Sequence, residues 1–172
     1  MTPLIRPETG SDSAGISAVY DRAFPGPGEA RLVEALRKSG GLWNSLVAEL
    51  DGQIVAHVAF SPVTLTPEPA RPLSGVGLAP IGVLPEFQRK GIGSLLIVSG
   101  LEACRQAGHE FVVVLGHPEY YPRFGFAPGP PRGLRCVYPV PDEVFMIREL
   151  VPGALQGIAG RVDYHPAFAA VE

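Results

Sequence analysis

The apolar positions of this chain change period several times, and each change predicts an element. Leu4-Ile5-Arg6 opens as a short extended run. Ile16, Val19, Tyr20 and Ala23 then recur at helical spacing, with Ser11 or Ser13 placed to cap that helix. Phe24-Pro25-Gly26-Pro27-Gly28 breaks it. Leu32, Val33, Ala35 and Leu36 mark a second short helix, ending at Gly40-Gly41. Residues 46–50 and 53–60 are apolar, strand-like runs joined by Asp51-Gly52, a pair that favours a tight hairpin. A further strand reaches about Leu65. The proline-rich stretch 66–72 cannot supply ladder donors and predicts a loop.

The second half is built around one helix. A fourth strand spans 78–84 and stops at Pro85; residues 86–93 lead into a helix running through about Ala107. Leu95, Leu96, Ile97, Val98, Leu101 and Cys104 cover most of its circumference, which predicts burial against a sheet, and Gly108 supplies a C-terminal stop. Phe111-Val112-Val113-Val114-Leu115 is the continuous apolar run of a strand covered on both faces. A helical turn follows over 118–124, with shorter strands near 134–138, 144–147 and 161–164. A strand after Pro141 would be exposed and could pair two copies into a homodimer. The pattern predicts an α/β mixed sheet, hairpins first, with one strand–helix–strand crossover.

Composition narrows the function classes. No repeat divides residues 1–172, which are expected to form a single domain. Apolar residues make up 46% and charged ones 18%, enough for a sizeable core. The net charge of -3, without a Lys/Arg cluster, offers no field for a nucleic-acid backbone. No apolar run approaches the ~18 residues that span a membrane, and Met1-Thr2-Pro3-Leu4-Ile5-Arg6 lacks the layout of a signal peptide. A cytoplasmic location is expected. Cys104 and Cys136 make no disulfide framework or zinc spacing, so no metal is expected.

The chemistry concentrates in Ile81-Gly82-Val83-Leu84-Pro85-Glu86-Phe87-Gln88-Arg89-Lys90-Gly91-Ile92-Gly93-Ser94. It places Gln-x-x-Gly-x-Gly between a strand and a helix N-terminus, where unpaired amides and the helix dipole attract anions. Gly91 and Gly93 let a phosphate approach the backbone, and Arg89 and Lys90 add charge at the same mouth. A P-loop would need Gly-Lys-Ser/Thr, whereas Lys90 precedes the glycine; a dinucleotide fingerprint would need Gly or Ala where Leu96 stands.

This segment resembles the Arg/Gln-x-x-Gly-x-Gly/Ala motif of the GNAT acetyltransferases. Tyr120-Tyr121-Pro122-Arg123-Phe124-Gly125-Phe126 resembles that family's Phe-Tyr-x-x-x-Gly-Phe segment. The resemblance implies an α/β fold with a mixed, largely antiparallel sheet of six to seven strands flanked by about four helices. It implies acetyl-CoA as co-substrate, its pyrophosphate held by the amides of Gln88 to Ser94 (Gln88, Arg89, Lys90, Gly91, Ile92, Gly93, Ser94). Backbone groups of Ile81, Gly82 and Val83 would line the pantetheine arm. The implied reaction is direct attack of a primary amine, of a small molecule or protein, on the thioester. The Val83 amide would face the oxyanion and Tyr121 would protonate the thiolate. His117, Glu86, Glu119, Glu29 and His57 are all candidates for the base that deprotonates the amine. A catalytically silent acyl-CoA-binding module on the same fold is the alternative.

Overall fold

The computed structural model describes residues 2–171, and among these a single nine-stranded sheet organises the chain. Strand β1 (Leu4–Pro7) is followed by α1 (Ser13–Ala23) and α2 (Gly28–Ser39). Strands β2 (Asn44–Leu50), β3 (Gln53–Thr66) and β4 (Gly75–Val83) then form antiparallel neighbours. Helix α3 (Ile92–Gln106) crosses to β5 (Phe111–Leu115), which lies parallel to β4. Short β6 (Ala127–Pro128) and β7 (Leu134–Cys136) precede β8 (Phe145–Glu149) and β9 (Gly160–Tyr164). The main path runs β1-β2-β3-β4-β5-β8-β6, with β9 joining β3 to β7. The sheet is mixed and largely antiparallel, as expected; the very short β6 and β7 raise the strand count, and three α-helices flank it among the described residues. None of these helices is long and apolar enough to cross a membrane.

Local chemistry explains most element ends. Asp51 and Gly52 both adopt positive φ, 49° and 78°, which matches the twist a tight hairpin needs. The α1 cap differs from expectation. Asp12, not Ser11 or Ser13, occupies the N-cap, yet its carboxylate accepts from Arg6 and the Thr9 amide instead of capping the helix. Strand β3 also runs unbroken where two strands were expected. Pro62 is tolerated because it falls where β2 has ended, at Phe60, and β9 has not begun, at Val63.

The sheet is covered on both faces. On one, Leu96, Ile97, Leu101 and Cys104 of α3 pack against Val58, Phe60, Val112 and Val114. On the other, Phe111, Val113, Phe145 and Ile147 meet Leu155 and Val162, while Ile16, Tyr20 and Val33 of α1 and α2 cover Val47. Strand β5 therefore contributes to both faces, which is why its apolar run does not alternate. Helix α3 is less enclosed than its composition predicts: Leu95 and Val98 remain exposed. The expected exposed strand after Pro141 is corrected as well. That strand, β8, pairs with β5 on one side and β6 on the other, and Phe145, Met146 and Ile147 are buried. Among the described residues, β6 occupies the outer edge of β8 at Met146 and Ile147, so that part of the edge is not free to pair with a second copy.

Candidate active site

Strands β4 and β5 start as neighbours and then part. Their ladder covers only Gly75–Gly77 against Phe111–Val113. A register shift explains the divergence. Between the pairs Val58↔Ile81 and Phe60↔Leu78, β3 advances two residues while β4 advances three, so β4 carries one extra residue near Ala79-Pro80. Such a bulge bends and twists the strand that holds it. Beyond it, β4 is bonded to β3 alone.

The pairing phase decides which backbone groups face the opening. The Leu84 amide donates to Val55 O at 2.9 Å, making that pair a hydrogen-bonded one. Antiparallel alternation then makes Ala56↔Val83 and Val58↔Ile81 non-bonded pairs. The amides of Ile81 and Val83 therefore turn away from β3, into the gap between β4 and β5. The Val83 carbonyl on that side accepts from Gln88 Nε2 at 3.0 Å, which ties the following loop to the strand end.

After a 3-10 turn at Pro85–Phe87, the chain twists sharply before α3. Arg89 has φ 64° and Gly91 φ 84°, both left-handed, and Gly91 is the N-cap of α3 without any side-chain cap. The first amides of α3, from Ile92 to Ser94, thus lack intrahelical acceptors and sit at the positive end of the helix. A side chain added at Gly91 would meet nothing within 4 Å; at Gly93 it would lie 3.8 Å from Val83 Cγ2 and 4.0 Å from the Tyr120 hydroxyl. The space above this turn is open to a ligand, and the turn adjoins the β4 edge.

Tyr121 and Tyr120 close the opposite wall. Tyr121 is 7% exposed and stands edge-on to Tyr120, Phe124 and Phe126. Its ring fills the space a side chain at Gly116 would take, since a Cβ there would lie 2.2 Å away. Burial, with a smaller contribution from Tyr120, pushes its phenol up to about 12, so it keeps its proton at neutral pH. Tyr120, which spacing alone did not single out, holds Ser94 Oγ through its hydroxyl at 2.8 Å. A cavity of about 860 Å³ lies between these walls, lined by Ile81, Gly82, Val83, Gln88, Arg89 and Tyr121 among others. Lys90, Gly91, Ile92, Gly93 and Ser94 form the turn beside it; the Ile92 side chain itself is buried in the core and Lys90 Nζ lies 5.8 Å from the Phe87 ring centre.

The five candidate bases separate in space. His117 and Glu119 line the cavity. Glu86 instead pairs with Arg22 at 2.9 Å, and Glu29 opens α2. His57 is fully buried, its Nδ1 2.7 Å from Tyr20 Oη and its Nε2 2.7 Å from Ser45 Oγ. Ser45 in turn donates to Glu8, whose carboxylate also receives the Arg37 fork. Tyr20 completes this network at Pro80 O, 3.1 Å away, on the bulge of β4. Burial pushes the His57 pKa down, more than the nearby Glu8 raises it, so the ring is a neutral structural group.

Comparison with known proteins converges on one family. Residues 4–129 match the model of the acetyltransferase (GNAT) domain. The chain is 40% identical over 166 residues to the uncharacterized N-acetyltransferase YhbS of Escherichia coli K12, covering 96% of this chain and 98% of YhbS. It is 41% identical over 136 residues to YjhQ, an uncharacterized N-acetyltransferase of the same organism, covering 77% and 75%. The crystal structure of E. coli YhbS in complex with CoA superposes with a TM-score of 0.93 at 39% identity, over 98% of this chain and 93% of that one. A GNAT acetyltransferase of Brucella melitensis in complex with acetyl-CoA gives 0.80 at 37% identity, over 96% and 97%.

Proposed function

The chain belongs to the GNAT acetyltransferase family, and we propose that it moves an acetyl group from acetyl-CoA to a primary amine by direct attack. The observation that carries this reading is the freed edge of β4, which ends directly at the uncapped N-terminus of α3. An extended pantetheine arm can add to that edge as a strand would, through the backbone of Ile81 and Val83. The pyrophosphate then falls on the amides of Gly91 to Ser94, with Arg89 and Lys90 nearby. The CoA and acetyl-CoA complexes of the two structural relatives support the same co-substrate here.

In this arrangement the amine nitrogen attacks the thioester carbon and the carbonyl oxygen becomes an oxyanion. The Val83 amide, aimed into the gap, is its hydrogen-bond donor. Collapse breaks the carbon–sulfur bond. Tyr121 donates toward the departing sulfur; with its pKa at about 12, against ~8.5 for an ordinary thiol, it serves first as a hydrogen-bond donor. The proton released by the amine balances the thiolate, giving free CoA thiol and an amide. An ammonium form must shed a separate proton before it can attack, and His117 and Glu119, on the cavity wall, are the groups proposed to take it. The reaction is assigned to the cytoplasm, and the domain to the whole of residues 1–172.

The test is release of free thiol from acetyl-CoA across a panel of primary amines, with the acetylated amine identified by mass. At least one amine should yield thiol and amide in equal amounts. Tight CoA binding with no turnover of any amine would replace the enzyme by a silent acyl-CoA-binding module.

A further inference from the structure

Arg123 occupies an unspecified position of its motif, yet it lines the cavity proposed for acetyl-CoA. Its guanidinium is positioned without being neutralised. Nε donates to the Tyr120 carbonyl at 3.0 Å, and the guanidinium carbon lies 4.6 Å from the centre of the Tyr120 ring. It makes no ion pair among the described residues, unlike Arg105 and Arg132, which pair with Glu102 and Glu149. Glu119 and the Arg105-paired Glu102 line the same two cavities without pairing with it.

Tyr120 also reaches the phosphate cradle, since its hydroxyl is 2.8 Å from Ser94 Oγ in the first turn of α3. Arg123 therefore stands one phenol's length from the amides proposed to hold the pyrophosphate. It is also the residue common to this cavity and a second one of about 590 Å³, whose walls include Val98, Leu101, Phe124 and Arg148. Arg148 is held in a similar way, by Phe124 O at 2.7 Å, with no carboxylate partner among the described residues. A ligand leaving the cradle toward the second cavity passes unneutralised cations in a chain whose net charge is -3.

The geometry points to Arg123 as the subsite for the 3′-phosphate of CoA, the phosphomonoester one ribose beyond the pyrophosphate. This rests on the acetyl-CoA reading above. A phosphomonoester carries about −1.5 to −2 charge at pH 7 with three strong acceptors, and a guanidinium fork meets two of them in one plane. Stacking on Tyr120 fixes that plane before the ligand arrives. Val98, Leu101 and Phe124 give the adenine an apolar surface beside it.

Calorimetric titration of the full chain with CoA and with dephospho-CoA, which lacks only the 3′-phosphate, tests the subsite. The wild type should prefer CoA by about tenfold, the low end for a charged hydrogen bond at an exposed site, and less at high salt. Arg123→Gln should bind dephospho-CoA as the wild type does and lose the preference for CoA. Arg123→Lys keeps the charge without the fork and should retain part of it. Arg89→Gln is the contrast: it stands at the pyrophosphate, which both ligands carry, and should weaken both alike. A wild type that binds the two ligands equally, or an Arg123→Gln variant that still prefers CoA, overturns the subsite and leaves the acetyl-CoA reading standing. A wild type that binds neither overturns both.

Discussion

Tyr120 and Tyr121 are adjacent phenols with different surroundings, and the difference assigns their work. Tyr120 spends its hydroxyl on Ser94 and its ring face on Arg123, which puts it at the proposed phosphate end. Tyr121 is sunk against Gly116 and Phe126 on the wall of the cavity, protonated at any working pH. Tyr121→Phe keeps that packing and removes one oxygen. Steady-state CoA release should fall by ~10²-fold or more with KM for acetyl-CoA little changed, because the lost bond matters as the thiolate forms. Tyr120→Phe should instead weaken CoA binding modestly. Normal turnover by Tyr121→Phe would return the leaving sulfur to water. At this scale the sequence was partly legible. Motif spacing picked Tyr121 from the pair, but spacing says nothing of where a phenol points, so the contacts of Tyr120 and Arg123 emerged only with coordinates.

The elements that build the site depend on two backbone features of unequal legibility. The turn before α3 was readable, because Gly91 announces a left-handed entry to a helix and Gly93 leaves the first turn without a side chain. The bulge in β4 was not. Residues 76–83 are a run of apolar and small residues ending at Pro85, and an extra residue in such a run shows only when its register against β3 is known. The same blindness split β3 in two, because only the register shows that Pro62 lies between the end of β2 and the start of β9, where one strand can run on. The Gly91 reading can be tested at its strongest point. With φ at 84° and nothing within 4 Å of its missing side chain, Gly91→Val meets no protein atom but forces a β-branched residue into a left-handed conformation. The strain should cost roughly 1–2 kcal/mol of stability. CoA affinity should fall more steeply than stability, because the added methyls occupy the phosphate's approach. A folded Gly91→Val variant that binds CoA normally would remove the cradle from this turn.

For the whole molecule, site and fold are coupled through the sheet, whose parted strands must be held open without ligand. Acetyl-CoA binding the folded chain alone should stabilise it by about 2.7 kcal/mol at a hundred times Kd, or roughly 5–10 °C in melting temperature; an equal shift with NADH would argue against the site. The partly buried network of Glu8, Ser45, His57 and Tyr20 links the end of β1, β2, β3 and α1 to the bulge of β4, and it makes a second demand on the whole chain. His57 is held neutral, mainly by burial, so its folded pKa lies below the ordinary ~6.5. On unfolding the ring can take up a proton that the native state refuses. The stability it preserves is therefore complete above ~6.5 and is lost as pH falls toward the folded value. Glu8 adds in the same direction at lower pH. Burial works to raise it, but its bonds to His57, Ser45 and Arg37 hold it down to about 2, so its contribution fades as pH drops below the ordinary carboxylate range. The urea midpoint of the wild type should thus fall steadily from pH 7 to pH 5. His57→Gln can still bond Tyr20 and Ser45 through its amide but has no proton to gain. It should start less stable at pH 7, because the amide fits the two bonds imperfectly, and then lose less between pH 7 and pH 5. The comparison reads slopes and not baselines, so the variant's lower starting stability does not blur it, and the partly buried His109 contributes equally to both. Parallel slopes would mean that His57 takes up its proton alike in the folded and unfolded chain. A wild type that loses less than the variant would mean that the Glu8 carboxylate outweighs burial and holds the ring charged.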